Sequence, residues 1–227
     1  MDDPLLRPVW NMLTGPQAAL AAGGDLAMRI DPGYGPFAAL RDRSDAALAA
    51  LAELVAPGEQ VWLVETEEWP VPPGFELART AVLVQMAAEN PALLLPGDEE
   101  AVLLGEADAT AMSEIALASK PGPWGNQTRR YGAFYGVRRD GRLAAMAGER
   151  MRPAVGLAEL SGVCTLPEYR GQGLAARLIR RVMAGFVEQE QVPFLHSYAG
   201  NTKAIALYET LGFAARREMV VTVLERV

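Results

Sequence analysis

A glycine-rich turn at residues 170–173 separates a predicted strand from a predicted helix. Residues 159–165 are mostly β-branched, apolar or small, as in a buried strand, and Pro167 ends that pattern because it has no amide hydrogen to donate. From Leu174 onward apolar residues recur every four positions, which predicts an amphipathic helix. The first turn of a helix leaves amides unpaired and partially positive, and glycines let an anion approach them closely. With the charge of Arg170 added, the turn predicts a phosphate or pyrophosphate site; an ordinary turn is the alternative.

Two motifs in this half of the chain resemble those of one family. Residues Arg170, Gly171, Gln172, Gly173, Leu174 and Ala175 resemble the acyl-CoA pyrophosphate loop of the GNAT superfamily of N-acetyltransferases, Q/R-x-x-G-x-G/A. The stretch at 201–213 resembles the second signature of that family, N-x-x-A-x-x-L-Y-e-x-l-G-F. The resemblance covers roughly residues 100–227. It implies an acetyl-CoA-dependent enzyme that acetylates a primary amine of a small molecule or peptide by direct attack in a ternary complex.

The second motif places two polar side chains on one helix face. Asn201 and Tyr208 lie seven residues, or two helical turns, apart. In the family, the matching tyrosine points at the coenzyme sulfur as general acid, and the matching asparagine contacts the pantetheine arm. The resemblance therefore implies that Tyr208 is the catalytic acid and that Asn201 binds the coenzyme. A half-buried tyrosine that packs on the sheet is the structural alternative.

A general base is needed because a primary ammonium, with a pKa of roughly 10, cannot attack a thioester. Glu159 matches the position at which histone-acetyltransferase-type members carry a catalytic glutamate. We therefore expect Glu159 to act as the base through water, since the pKa of a carboxylate lies well below that of the amine. Glu149 is the reserve. The alternative is a structural glutamate, exposed or paired with Arg150 or Arg152.

The strand before the turn is expected to contact the coenzyme. In the family this strand splays and pairs with pantetheine like an added strand. The resemblance thus implies coenzyme contacts, and a backbone donor for the oxyanion, at Val163, Cys164 and Thr165. A cysteine beside the thioester also raises a covalent acetyl-enzyme as an alternative, which the direct route of the family disfavours.

Substrate contacts are predicted from two segments. In GNAT proteins the segment after the first helix borders the acceptor site, and here it is an irregular loop. Trp124, Asn126 and Arg129 are therefore candidate substrate contacts, unless the loop only anchors a buried tryptophan. Ser197, on a predicted strand at 193–198, is a fourth candidate. His196, on the opposite face of that strand, is predicted to be structural.

Composition limits the partners. The net charge of −7 argues against nucleic acid. Residues 1–100 carry a net charge of −11 and residues 101–227 one of +4, so the second half suits a polyanion such as coenzyme A. One cysteine and one histidine cannot build an ordinary zinc site, and no metal is expected.

The expected location is the cytoplasm, with no membrane partner. There is no run of eighteen apolar residues and no visible signal peptide, and a single cysteine fits a reducing compartment. A monomer or homodimer is expected.

The predicted fold class is α/β (α+β), with a GNAT-like mixed, mostly antiparallel central sheet flanked by helices at 98–227. Turn formers at 90–98 suggest a boundary after residue 97. Residues 1–97 are predicted to be an α/β extension, either a degenerate partial copy of the catalytic domain or a lid over the acceptor cleft. Acidic residues at 65–68 hint at a cationic acceptor. The competing interpretation of function is a catalytically weak acyl-CoA-binding sensor or regulatory module.

Overall fold

The computed structural model describes residues 3–119 and 121–227 of the chain. The helices are α1 Pro8–Thr14, α2 Asp45–Leu54, α3 Ala109–Ser119, α4 Leu174–Glu188 and α5 Thr202–Thr210. The strands are β1 Ala21–Gly23, β2 Ala27–Ile30, β3 Ala38–Leu40, β4 Gln60–Glu65, β5 Phe75–Ala87, β6 Val102–Leu103, β7 Phe134–Arg139, β8 Arg142–Glu149, β9 Leu157–Thr165, β10 Val192–Tyr198 and β11 Ala214–Arg226. Within these described ranges, no helix is both long and apolar enough to cross a membrane.

An eight-stranded sheet forms the centre of the molecule, in the order β4-β11-β5-β10-β9-β8-β7-β6. Neighbours are antiparallel except β9 and β10, which are parallel. This confirms the predicted mixed, mostly antiparallel sheet flanked by helices. The parallel pairing covers only the residues from Leu157 to Glu159 on β9, opposite Val192 to Phe194 on β10. Beyond that point the two strands no longer pair, and a gap opens between them.

The predicted boundary after residue 97 does not divide this sheet. Strand β5 lies between β10 and β11 and pairs with β11 from Phe75 to Ala87, so the first hundred residues supply an interior strand. The turn formers at 90–98 instead make a surface loop, which is tied to α4 by the ion pair between Asp98 and Arg180. Residues 1–97 are therefore partly integral to the sheet.

The remaining part of the N-terminal region covers one edge of the sheet. Strands β1–β3 form a small antiparallel sheet. Phe37, just before β3, makes a parallel bridge to Trp62 of β4. Helix α1 of this region begins at Pro8 and is followed by Gly15. Proline suits the first position of a helix, because its missing amide would be unpaired there in any case.

Helices cover both faces of the sheet. One core contains the apolar face of α4, with Leu178, Val182 and Phe186, and apolar residues of α5 pack against it. On the opposite face, α1 packs with residues of β4, β5 and β11, and α3 packs against β8 and β9. The gap between β9 and β10 thus lies between two covered faces.

Candidate active site

A cavity of about 650 Å³ occupies the gap between β9 and β10. Arg170 and Gly171 line it at the glycine turn, and Asn201 and Tyr208 line it from α5. Trp62 lines it from β4, on the face of the sheet that α1 covers. The cavity therefore connects the turn to the surface covered by the N-terminal region.

The glycine turn leaves helix amides free for an anion. Gly171 and Gly173 have φ of +77° and +75°, and a Cβ on either would meet no atom within 4 Å, so the space above the turn is open. The first backbone bond of α4 runs from the Arg177 amide to the Gly173 carbonyl at 3.2 Å. The amides at 174–176 precede that bond and have no acceptor within the helix. The exposed Arg170 adds positive charge, and the site fits a diphosphate.

Only some of the residues predicted to bind the coenzyme line the cavity. Arg170, Gly171 and Ala175 line the cavity, as do Val163, Cys164 and Thr165 of β9. Gln172 and Gly173 do not line it, and the Leu174 side chain is buried in the core. The last three can therefore take part only through the backbone or through their positions in the turn.

Strand β9 carries a bulge beside the cavity. Met146 pairs with Cys164 but Gly148 pairs with Ser161, so β9 has one residue more than β8 over this interval. Gly162 lies inside the bulge with φ of +63°, and a Cβ there would come within 2.8 Å of Phe134. Bulges redirect backbone groups away from the ladder. Of the residues predicted to supply the oxyanion donor, Val163 lies in the bulge beside Gly162, whereas Cys164 and Thr165 pair with Met146 and Ala145 of β8.

The Tyr208 phenol is protonated at neutral pH. Burial, with a smaller effect of Cys164, raises the pKa of Tyr208 to about 12. Its ring packs edge-on against Phe213 at 5.9 Å, and its hydroxyl makes no hydrogen bond within the described ranges. Asn201 lines the same cavity, so the predicted pair does lie together. The phenol is available as a donor at the gap.

Glu159 is not placed to act as a base, contrary to the prediction. Its fully buried carboxylate does not line the cavity. It accepts hydrogen bonds of 2.8 Å from Nε and Nη2 of Arg150 and contacts His196 Nδ1 at 2.8 Å. Burial alone would raise the pKa of Glu159, but the Arg150 and His196 contacts outweigh it and lower the pKa to about 2. Such a carboxylate is a poor proton acceptor, and the reserve, Glu149, is also buried and paired with Arg152.

His196 belongs to the same buried network. Its Nε2 lies 3.0 Å from the Gln85 amide nitrogen, which also donates to the Leu5 carbonyl at 2.9 Å. Nδ1 then donates to Glu159, because Nε2 must accept from Gln85. His196 lines the cavity, but both of its ring nitrogens have partners, so the imidazole holds the network in place.

Three of the four predicted substrate contacts do not line the cavity. Trp124 packs edge-on against Phe134 at 5.5 Å, which matches the anchoring alternative. Asn126 is exposed, and Arg129 pairs with Glu106. Only Ser197 lines the cavity. The loop does border the cavity, but with residues 121–123.

The cavity is also lined by residues that the sequence did not predict to line it. Phe37, Trp62 and Arg150 line it, from three separate parts of the chain. No local pattern marks them, since they meet only because β4 joins the sheet and Phe37 pairs with it. No group of three or more His, Cys, Asp or Glu side chains at 3–119 and 121–227 is arranged to hold a metal.

Comparisons with known proteins agree with this geometry. The family model described as FR47-like protein matches residues 134–222. A crystal structure from Novosphingobium aromaticivorans DSM 12444, described as a candidate acetyltransferase of the GNAT family, is 56% identical over 100% of both chains, with a TM-score of 0.94. This chain belongs to the GNAT superfamily, as its motifs predicted. Members of that family catalyse acyl transfer and generally use acetyl-CoA.

More distant structures share the fold. A GCN5-related N-acetyltransferase from Kribbella flavida is 21% identical, with a TM-score of 0.57 over 90% of this chain and 88% of that one. A GCN5-related N-acetyltransferase-like protein from Streptococcus suis 89/1591 is 15% identical, with a TM-score of 0.59 over 96% and 91%. A search of curated proteins finds no match.

Proposed function

We propose that this protein is an acetyl-CoA-dependent N-acetyltransferase that acts on a primary amine of a small molecule or peptide by direct attack in a ternary complex. One observation carries the proposal: the glycine turn and the Tyr208 phenol line a single cavity that passes between β9 and β10. An extended donor bound at the turn could bring its thioester to the phenol. An amine could then approach from the side of Trp62.

The chain holds the donor mainly through its backbone. The free amides at the start of α4 and the Arg170 guanidinium bind the diphosphate. Asn201 and the unpaired end of β9 border the path from the turn to Tyr208. Bound there, acetyl-CoA supplies the activated acyl group. A backbone amide in the bulge around Gly162 supplies the donor for the developing oxyanion.

Tyr208 stabilises the leaving sulfur. As the C–N bond forms and the C–S bond breaks, negative charge grows on sulfur, and the phenol donates a hydrogen bond to it. The proton that sulfur finally receives is the one lost by the attacking nitrogen. A phenol with a raised pKa gives up its own proton only transiently, so we assign Tyr208 as donor and relay.

The amine reacts as its free base. Both carboxylates predicted as bases are held in ion pairs. The proton of the incoming ammonium is therefore lost to solvent, and kcat/KM rises with pH until the pKa of the amine is reached. When acceptors of different pKa are compared, the pH at which kcat/KM levels off should shift with the pKa of the acceptor.

The test is release of coenzyme A thiol from acetyl-CoA with a panel of amines, alongside calorimetry with coenzyme A. Amine-dependent thiol release with an acetylated product supports the enzyme. Coenzyme binding with no thiol release for any amine would support the sensor instead.

A further inference from the structure

We infer that the acceptor is the α-amino group of an apolar residue, with the neighbouring carbonyl or carboxylate oxygen held by Arg150. The inference rests on the proposed function and names its substrate class. A free amino acid and a peptide N-terminus share this chemistry. The supporting residues are those at the end of the cavity away from the glycine turn.

That end of the cavity has an aromatic and aliphatic wall. Phe37 and Trp62 pack edge-on with ring centroids 6.4 Å apart. Val64, Leu83 and Val221, from three neighbouring strands, complete the wall. An acceptor with an apolar side chain gains free energy by covering this surface. A short polar amine does not.

Arg150 points one free donor into the cavity. Its Nε and Nη2 are bound to Glu159, whereas Nη1 has no partner within the described ranges. A Cβ placed on Gly122, another lining residue, would lie 3.7 Å from Nη1. The guanidinium also lies over the Phe37 ring, 5.0 Å from its centroid. An acceptor oxygen bound to Nη1 would therefore sit beside the apolar wall.

The charges of the site match such an acceptor. The charged side chains among the described lining residues are Arg150, Arg170 and Lys203. Glu65 and Glu67, which had suggested a cationic acceptor, are paired with Arg7 and Arg43 instead. An α-amino group has a pKa of about 7.7–8.0, against about 10.4 for a lysine side chain. At pH 7 roughly 10–17% of such groups are free base, against about 0.04% of lysine side chains, so an α-amino acceptor depends far less on a carboxylate to deprotonate it.

The test titrates products into the protein saturated with coenzyme A, because acetylated nitrogens do not ionise. N-acetyl-L-phenylalanine amide carries both features, N-acetylphenethylamine lacks the carbonyl, and N-acetylglycine amide lacks the apolar side chain. We expect the first to bind at least about tenfold tighter than either of the others, as burial of one aromatic ring or one charge-assisted hydrogen bond provides. N-acetyl-L-phenylalanine, with its carboxylate, distinguishes a free amino acid from a peptide. Equal affinities, or tighter binding of N-acetylcadaverine, would overturn the inference.

Two variants test which side chains produce the preference among these products. Arg150→Lys keeps a cation beside Glu159 but loses the Nη1 donor, so it should remove the preference for the amide over N-acetylphenethylamine. Trp62→Ala should reduce the preference for N-acetyl-L-phenylalanine amide over N-acetylglycine amide. If Arg150→Lys fails to fold, the wild-type product series still decides. Binding is measured without turnover, so failed thiol release rejects the proposed function alone, and unselective product binding rejects the acceptor class alone.

Discussion

Glu159 accepts two parallel hydrogen bonds, each 2.8 Å long, from Nε and Nη2 of Arg150 beneath the cavity wall. The pair is nearly free of solvent, with side-chain exposures of 0% for Glu159 and 11% for Arg150. A third partner, His196, is fixed in turn by Gln85. Glu159, which was predicted to be the general base, thus holds strands β8–β10 and Arg150 in place.

We therefore expect the Glu159→Gln substitution to lower the free energy of unfolding rather than to impair the chemical step. Loss of one partner of a buried pair leaves an unpaired charge and costs about 3 kcal/mol or more. Urea unfolding measures that cost. Glu168→Gln, which removes the carboxylate of an exposed pair with Arg142, is the control and should change stability by less than about 1 kcal/mol. A folded Glu159→Gln protein that loses about 100-fold or more in turnover would restore Glu159 as the base.

Stability should fall in acid because of the same carboxylate. The folded-state pKa of Glu159, about 2, lies below the unfolded value near 4.3. Its contribution is therefore complete above the unfolded pKa and is lost as the pH falls from there toward 2. Denaturation measured from pH 7 to pH 3 should show a smaller loss for Glu159→Gln than for wild type. Equal losses would show that the ion pair does not contribute.

Tyr208→Phe should lower kcat about 100-fold or more, since it removes the proton donor at the gap. Affinity for coenzyme A, measured by calorimetry, should change little because the diphosphate contacts are untouched. Tyr169→Phe is the matched control, as that hydroxyl bonds to Asp140 outside the cavity. Unchanged turnover in Tyr208→Phe would remove the phenol from the mechanism.

Gly171→Ala should weaken coenzyme A binding at least about tenfold, because a Cβ would occupy the open space above the helix amides. Gly141→Ala separates this effect from backbone strain. Gly141 has φ of +76°, close to that of Gly171, and no atom within 4 Å of a Cβ, but it lies in the β7–β8 turn. Because each substitution places a side chain on a residue with positive φ, both variants should unfold at urea concentrations below that of wild type, by similar amounts. Equal affinities for coenzyme A would place the diphosphate elsewhere.

Cys164→Ala should keep most of its turnover. Burial raises the pKa of the Cys164 thiol to about 12, so it stays protonated and unreactive at neutral pH. Mass spectrometry during turnover should find no acetyl group on the protein. An acetylated Cys164, together with an inactive Cys164→Ala variant, would support a covalent intermediate.

Local patterns predicted the elements that carry the motifs. Helix α4 begins at Leu174, as the apolar spacing predicted, and strand β9 ends at Thr165, before Pro167. Each depends on neighbours within a few residues. The Asn201–Tyr208 pair was predictable for the same reason, because helix geometry fixes which face seven-residue spacing occupies.

Features set by distant parts of the chain could not be predicted. Strand β5 lies in the middle of the sheet, although its sequence says nothing of its partners. The Glu159 role depended on whether Arg150 reached it, and the strand pattern allowed both outcomes. Phe37 and Trp62 meet at the cavity only through a long-range bridge. The coenzyme-binding end of the cavity was therefore more predictable from the sequence than the acceptor end.

A crystal structure with coenzyme A bound is the most direct test of the central claim that the start of α4 aims the sulfur at Tyr208. We predict diphosphate oxygens about 3 Å from amides at 171–176, and the sulfur within about 4 Å of the Tyr208 hydroxyl. A nucleotide bound away from the turn, or a sulfur on the far side of β10 from Tyr208, would contradict it.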